Sequence, residues 1–103
     1  MNLFHYPNAG DQELFDTLLQ KDNIKVERIV SYGQVTPKQS PYIQQWDEFV
    51  LVLQGQARLK IAAQDEVVLQ KGDFLHLPKQ TPHWVTFTSS QPPVIWLAIH
   101  FRE

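Results

Sequence analysis

The chain has 103 residues, enough for one hydrophobic core but too few for separate substrate and cofactor domains. Its 9 basic and 11 acidic residues form no block of like charge, which argues against nucleic acid and membrane surfaces as partners, and the absence of cysteine excludes disulfides and thiolate chemistry. The N-terminus does not resemble a signal peptide and no run is long enough to span a membrane, so we expect a cytoplasmic protein.

The first predicted element is a short amphipathic helix from Asp11 to Lys21. The aspartate can cap the first turn, and apolar residues recur at helical spacing behind it, namely Leu14, Phe15, Leu18 and Leu19. We therefore expect residues 1–23 to form an N-terminal segment that carries this helix on the outside of the domain.

After residue 23 the pattern changes to short runs rich in β-forming residues, separated by Gly, Pro and Ser. In chain order they read IKVERIVSYGQVT, EFVLVLQG, QARLKIA, EVVLQ, FLHLP, HWVTFT and VIWLAIHF. Their repeat of roughly ten residues predicts an antiparallel sandwich or barrel over residues 24–103. No linker or internal repeat divides the chain, which indicates a single domain over residues 1–103.

The run beginning at Glu48 has two apolar faces. Side chains two apart share a face of a sheet, so Glu48 heads one row with Val50 and Val52. The opposite row also consists of apolar residues, namely Phe49, Leu51 and Leu53. One row should pack in the barrel, and the other against a second sheet or another subunit. Asp47 is expected to face solvent.

A similar row begins at His83, which shares its predicted face with Val85 and Phe87. If both rows line one barrel interior, Glu48 and His83 should lie together near its mouth. Taken alone, residues of these types more often have a structural role, as a solvated carboxylate at a strand entrance or as a capped or half-exposed imidazole.

Two stretches resemble the two motifs of the cupin superfamily. Glu48 is followed by six residues and Gly55, as at the end of the first motif, and GDFLHLPKQTPHW, from Gly72 through Pro78 to His83, resembles the second. The resemblance covers about residues 33–101. It implies an all-β fold, a single cupin-type antiparallel jelly-roll barrel, here with the short N-terminal helix, in which His83 points inward.

Metal-binding cupins usually carry His-x-His shortly before the glutamate, but the matching positions here hold Tyr42 and Gln44. The resemblance therefore implies at most a weak site for a divalent metal such as Zn, Ni, Fe or Mn, with Gln44, Glu48 and His83 as candidate ligands. His100, in AIHF, would add an imidazole if it faces inward with Trp96; otherwise it is a histidine with ordinary packing near the chain end. His76 is ambiguous in the same way.

Three functions remain open at this stage. The first is an enzyme in which Glu48 and His83 hold a metal or act as general base and acid, while Tyr42 and Gln44 bind substrate. The second is a non-catalytic protein that binds a small ligand such as a sugar or organic acid. The third is a dimerisation or partner module. In each case we expect a homodimer, because the two-faced strand and three tryptophans leave apolar surface uncovered.

Overall fold

A computed structural model describes residues 1–8 and 10–103, and this part of the chain contains eight strands and no helix. The strands are β1 (Leu14–Lys21), β2 (Ile24–Ser31), β3 (Asp47–Gln54), β4 (Ala57–Ile61), β5 (Val67–Leu69), β6 (Phe74–Leu77), β7 (His83–Thr88) and β8 (Val94–Phe101). Ala9 lies outside the described residues. Within these residues no helix is long and apolar enough to cross a membrane.

The strands form two antiparallel sheets. The larger sheet has the order β1-β2-β8-β3-β6, and the smaller has the order β5-β4-β7. Each of the seven runs predicted to be β-structure contains one strand, so the predicted antiparallel barrel is confirmed.

The predicted helix from Asp11 to Lys21 is wrong, because these residues contain β1, which pairs with β2 at the edge of the larger sheet. The register of this pair shifts between Thr17 and Leu19, and such a bulge breaks the alternation of side chains. The apolar residues therefore lose the period of two that marks a strand and show the spacing of a helix instead. Pairing with β2 overrides this local signal.

The core lies between the two sheets. Inward-facing residues of β3, β4 and β8 supply most of it, including Val50, Val52, Leu59, Trp96 and Ala98. The alternation predicted for β3 is correct, since Glu48, Val50 and Val52 are buried while Phe49 and Leu51 are only partly buried. One end of this apolar filling is replaced by polar side chains, and that end forms the candidate site.

Residues at the N-terminus cover part of the outer face of the larger sheet. Arg28 on β2 points to that side and is only 2% exposed. Its guanidinium donates hydrogen bonds to Asp16 Oδ2 at 2.5 Å and to the carbonyl oxygens of Leu3 and His5 at 3.2 and 2.9 Å. Arg28 therefore links β1, β2 and the N-terminal segment, since a buried guanidinium needs acceptors on several sides.

The direction predicted for one side chain of β7, that of Phe87, is wrong. His83 and Val85 point into the barrel as expected, but Phe87 points outward, with the guanidinium of Arg58 5.4 Å from its ring centroid. The register between β4 and β7 shifts between Arg58 and Leu59, which adds a residue to β7 and reverses the facing beyond it. His83 lies before this bulge and is unaffected.

Candidate functional site

A cavity of about 150 Å³ opens at one end of the barrel, between the two sheets. An apolar floor that includes Val50, Leu59 and Leu77 lies beneath it. Its polar lining consists of Glu13, Glu27, Ser31, Tyr42, Gln44, Glu48, His83 and His100. The five residues that the sequence proposed as a site, Tyr42, Gln44, Glu48, His83 and His100, therefore all line one cavity.

Glu48 and His83 face each other across this cavity. Each begins a strand, Glu48 near the start of β3 and His83 at the start of β7, and each is followed on the same face by a valine. Glu48 Oε1 lies 4.0 Å from His83 Nε2, and the two residues are only 6% and 5% exposed. This separation is too long for a direct hydrogen bond, but an oxygen of a ligand can contact both atoms.

The tautomer of His83 follows from its second ring nitrogen. Nδ1 lies 3.2 Å from the carbonyl oxygen of Thr81. A carbonyl oxygen only accepts hydrogen bonds, so Nδ1 carries the proton, and in the neutral ring Nε2 keeps a lone pair directed at the cavity.

Tyr42 is fixed beside His83 by backbone pairing. The Tyr42 N–H donates to the His83 carbonyl at 2.9 Å, and the His83 N–H donates back at 3.0 Å. This antiparallel bridge also stacks the two rings, whose centroids lie 5.5 Å apart. Burial, followed by the nearby Glu13 and Glu48 carboxylates, raises the pKa of Tyr42. The phenol therefore stays neutral and keeps its O–H as a donor.

Gln44 enters the cavity from the loop before β3. Its backbone carbonyl oxygen accepts a 2.7 Å hydrogen bond from the backbone N–H of Gln80, in the turn that follows Pro78. Gln80 has a φ of +60°, in the left-handed region that usually favours glycine. The turn before β7 thus holds Gln44 in place while it delivers His83 to the cavity.

Two buried acceptor atoms in the cavity, Oε1 of Glu48 and Oε1 of Gln44, find no hydrogen-bond partner among residues 1–8 and 10–103. A buried acceptor without a partner costs about 1–3 kcal/mol. Such atoms are uncommon in folded proteins, and they mark the places where a ligand or water supplies the missing donor.

Burial also shifts the proton affinities of the central pair. Burial raises the pKa of the Glu48 carboxyl, and Glu27 adds to this while His100 opposes it. Burial lowers the pKa of the His83 imidazole, although the Thr81 carbonyl partly offsets this. The two pKa values therefore move toward each other, because burial disfavours the charged form of each group and so disfavours an ordinary ion pair between Glu48 and His83.

Sequence reasoning missed Glu27, which contacts His100 inside the barrel. His100 Nε2 donates a hydrogen bond to Glu27 Oε1 at 3.0 Å. This contact is the largest cause that raises the pKa of His100 and lowers the pKa of Glu27, so the two form an ion pair. No sequence signal marked Glu27, because β2 reads IKVERIVS and carries charged residues on both faces.

Glu13 was also missed, and it lines the opposite side of the cavity. Its Oε2 accepts a 2.5 Å hydrogen bond from the Ser31 hydroxyl, which in turn accepts one from Trp96 Nε1 at 3.1 Å. Trp96 is thus a core residue that also fixes a chain of polar groups at the cavity wall. No local pattern marks Glu13, because it lies just before the misassigned β1.

His76 and Asp47 lie outside the cavity. His76 is on the outer face of β6, where Nε2 is 3.4 Å from Asp47 Oδ1 and the ring stacks on Phe101. Asp47 also accepts a hydrogen bond from the Lys79 N–H at 3.1 Å, which agrees with its predicted outward position.

These residues do not match the metal site that the family resemblance suggests. Tyr42 and Gln44 stand where two imidazoles would be, Gln44 offers only a neutral amide oxygen, and His100 uses Nε2 to bind Glu27. Throughout residues 1–8 and 10–103, no group of three or more His, Asp or Glu side chains is arranged to hold a metal ion.

Comparison with known proteins identifies related sequences and folds. Residues 29–100 match the family model described as "Cupin domain". A Ralstonia eutropha JMP134 protein described as "a putative mannose-6-phosphate isomerase" is 35% identical, with a TM-score of 0.93 over 100% of this chain and 97% of that one. No curated protein matched the chain.

Two more distant structures share the fold alone. A cupin superfamily protein from Desulfitobacterium hafniense DCB-2 is 21% identical, with a TM-score of 0.80 over 95% of this chain and 84% of the other. A Methanocaldococcus jannaschii cupin with a double-stranded β-helix fold is 11% identical, with a TM-score of 0.75 over 98% and 90%. The jelly-roll architecture predicted from the sequence is therefore confirmed.

Proposed function

The chain belongs to the cupin family, and from this premise we propose that its cavity binds a small hydroxylated carbonyl compound on which Glu48 and His83 transfer a proton. The observation that carries the proposal is the pair of unpartnered buried acceptors, Glu48 Oε1 and Gln44 Oε1. A hydroxyl-bearing ligand supplies the donors that these atoms lack.

The size and charge of the cavity restrict the part of the ligand that enters it. A void of about 150 Å³ holds a group about as large as a six-membered ring. Glu13, Glu27 and Glu48 line it, whereas no Lys or Arg does so among the described residues. His100 balances the charge of Glu27 alone, so the acidic lining that remains disfavours an anion, and we expect the entering group to be uncharged and rich in hydroxyls.

The pair can interconvert a hydroxy-aldehyde and a hydroxy-ketone without an external reactant. His83 Nε2 accepts the proton from the carbon next to the carbonyl, and the electrons of that C–H bond form a carbon–carbon double bond. The carbonyl π electrons move to oxygen, which takes a proton from the Glu48 carboxyl to give an enediol. Reversal of these steps at the neighbouring carbon yields the isomer and restores both side chains.

Mannose and mannose 6-phosphate are suitable probes, because the Ralstonia eutropha relative is described as a putative isomerase of the latter. Binding is measured from the indole N–H signals in ¹H–¹⁵N spectra, since Trp96 lies at the cavity wall while Trp84 donates to Lys38 outside it. Proton transfer is measured in D₂O as loss of the sugar C-2 proton signal.

We expect the Trp96 signal to shift with sugar and the C-2 proton to exchange in the wild type. Glu48→Gln should abolish exchange, whereas Glu66→Gln, a carboxylate paired with Arg58 away from the cavity, should leave it unchanged. Binding without exchange would make the protein a non-catalytic binder. If neither sugar shifts the Trp96 signal, the proposal is contradicted.

We also propose that the outer face of the larger sheet joins a second copy of the chain. Phe74 is 63% exposed there and stacks on Phe49 at 5.2 Å, next to the partly buried Leu51. These side chains form a continuous apolar surface on β3 and β6, which a symmetric contact would cover on both copies. Sedimentation should show a dimer that Phe74→Glu dissociates, and a monomeric wild type at micromolar concentration would contradict it.

A further inference from the structure

A second void, the outer cleft, adjoins the cavity and has a volume of about 310 Å³. The two voids share three lining residues, Glu27, Gln44 and His100, so they lie on either side of the same side chains. The remaining lining of the outer cleft consists of Gln20, Lys25, Gln45 and Trp46. A ligand that contacts these three shared residues from the cavity is therefore adjacent to the outer cleft.

The outer cleft is electropositive, in contrast to the cavity. Glu27 is its only lining carboxylate among the described residues, and that group already binds His100 at 3.0 Å and faces Lys25 Nζ at 3.7 Å. Lys25 and His100 are the two basic side chains of the lining, and His100 is protonated in its ion pair with Glu27, so two cations face one carboxylate. Arg102 does not line the cleft but lies beside it, with its guanidinium 4.5 Å from the ring centroid of Trp46.

The position of Lys25 makes it available to a ligand. Lys25 lies on the same inward face of β2 as Glu27. Gln20, which pairs with Lys25 from β1, lines the same cleft. The side chain of Lys25 is 37% exposed, and the 3.7 Å separation from Glu27 is too long for a hydrogen bond. Its three N–H donors can therefore turn to an anion without breaking a strong contact.

We infer that the outer cleft is an anion subsite in which Lys25 holds the phosphate of a ligand whose hydroxylated carbonyl end occupies the cavity. This inference rests on the proposed function of the cavity and narrows its substrate class to phosphorylated hydroxy-carbonyl compounds. The opposite rim of the cavity carries the Glu13 carboxylate, which disfavours an anion on that side.

The three indole N–H signals separate the two sites. Trp46 reports the outer cleft, Trp96 the cavity, and Trp84 serves as the unaffected control. Mannose should shift Trp96, inorganic phosphate should shift Trp46, and mannose 6-phosphate should shift both and bind more tightly than mannose. Lys25→Met should reduce the preference for mannose 6-phosphate over mannose by about tenfold, as expected for the loss of a charge-assisted hydrogen bond. Lys60 is the matched control, because its ammonium donates to the Gln64 carbonyl oxygen away from the outer cleft. Lys60→Met should leave the preference for mannose 6-phosphate over mannose unchanged.

Failure of the inference differs from failure of the proposed function. If both sugars shift Trp96 but mannose 6-phosphate binds no more tightly than mannose, or Lys25→Met keeps the preference, the anion subsite is refuted while the cavity proposal stands. If neither sugar shifts the Trp96 signal, the titration with inorganic phosphate still tests the anion subsite independently of the cavity. A phosphate-dependent shift of Trp46 that Lys25→Met removes supports the subsite, and no shift refutes it.

Discussion

Replacement of Gly55 by alanine tests why the first cupin-like motif ends in glycine. Gly55 has a φ of +83° in the β3–β4 hairpin. An added Cβ would lie 2.8 Å from the Pro93 carbonyl oxygen, 2.8 Å from Ser89 Oγ and 3.0 Å from Val94 Cα. Ser89 Oγ cannot move freely, because it donates to the Pro92 carbonyl at 2.7 Å and accepts from the backbone at 3.0 Å.

The cost has two separable parts. A left-handed backbone costs alanine about 1–2 kcal/mol, offset by about 0.4–1 kcal/mol from the reduced entropy of the unfolded chain. Displacement of packed neighbours adds about 1–3 kcal/mol. Gly72→Ala is the matched control, because Gly72 has a φ of +90° but nothing within 4 Å of the added Cβ. From these terms we expect losses of about 1–5 kcal/mol for Gly55→Ala and at most about 1.6 kcal/mol for Gly72→Ala, with Gly55→Ala the more destabilising by about 1–3 kcal/mol.

Urea unfolding followed by tryptophan fluorescence at 25 °C measures both variants against the wild type. The difference between them isolates the close approach of the β7–β8 loop to the hairpin. Equal losses for Gly55→Ala and Gly72→Ala would refute the reasoning, because backbone conformation alone would then account for both.

Three further predictions concern charge and metal binding. Glu48→Gln should raise the free energy of unfolding by about 1 kcal/mol at pH 7, because a carboxyl whose pKa rises on folding destabilises the protein above its unfolded pKa. Urea unfolding should show this gain vanish at more acidic pH, and a less stable variant at pH 7 would contradict it. Arg28→Met should lower the free energy of unfolding by about 2–3 kcal/mol in the same assay, since the buried guanidinium donates several hydrogen bonds. An unchanged unfolding midpoint would show that these bonds add no stability. The double substitution Tyr42→His and Gln44→His should strengthen Co²⁺ binding at least about tenfold over the wild type in an absorption titration, because imidazoles replace weak donors; equal affinity would show that the two positions do not face a common metal.

The sequence predicted the parts of the site that depend on local alternation. Glu48 and His83 each lead a regular apolar row, so their inward facing followed from the period of a strand. The strands themselves were recognisable from β-branched runs and turn residues. The family motifs then indicated that these two strand entrances share one barrel.

The remaining features depend on pairing between distant segments. Glu27 and His100 lie 73 residues apart, and only the β2–β8 register brings them together. The bulges in β1 and β7 arise where one strand has an extra residue relative to its neighbour, and the periodicity of apolar residues in the sequence does not reveal such an insertion. One bulge made β1 resemble a helix, and the other reversed Phe87.

The central claim is that burial moves the proton affinities of Glu48 and His83 toward each other. The most direct measurement is a pH titration of the glutamate carboxyl carbons and histidine ring signals by NMR. We predict that the pKa of Glu48 lies above the ordinary range of a glutamate and that the pKa of His83 lies below the ordinary range of a histidine. The pKa of His100, which is bonded to Glu27, should lie above that histidine range. A Glu48 that titrates low together with a His83 that titrates high would identify an ordinary ion pair and contradict the claim.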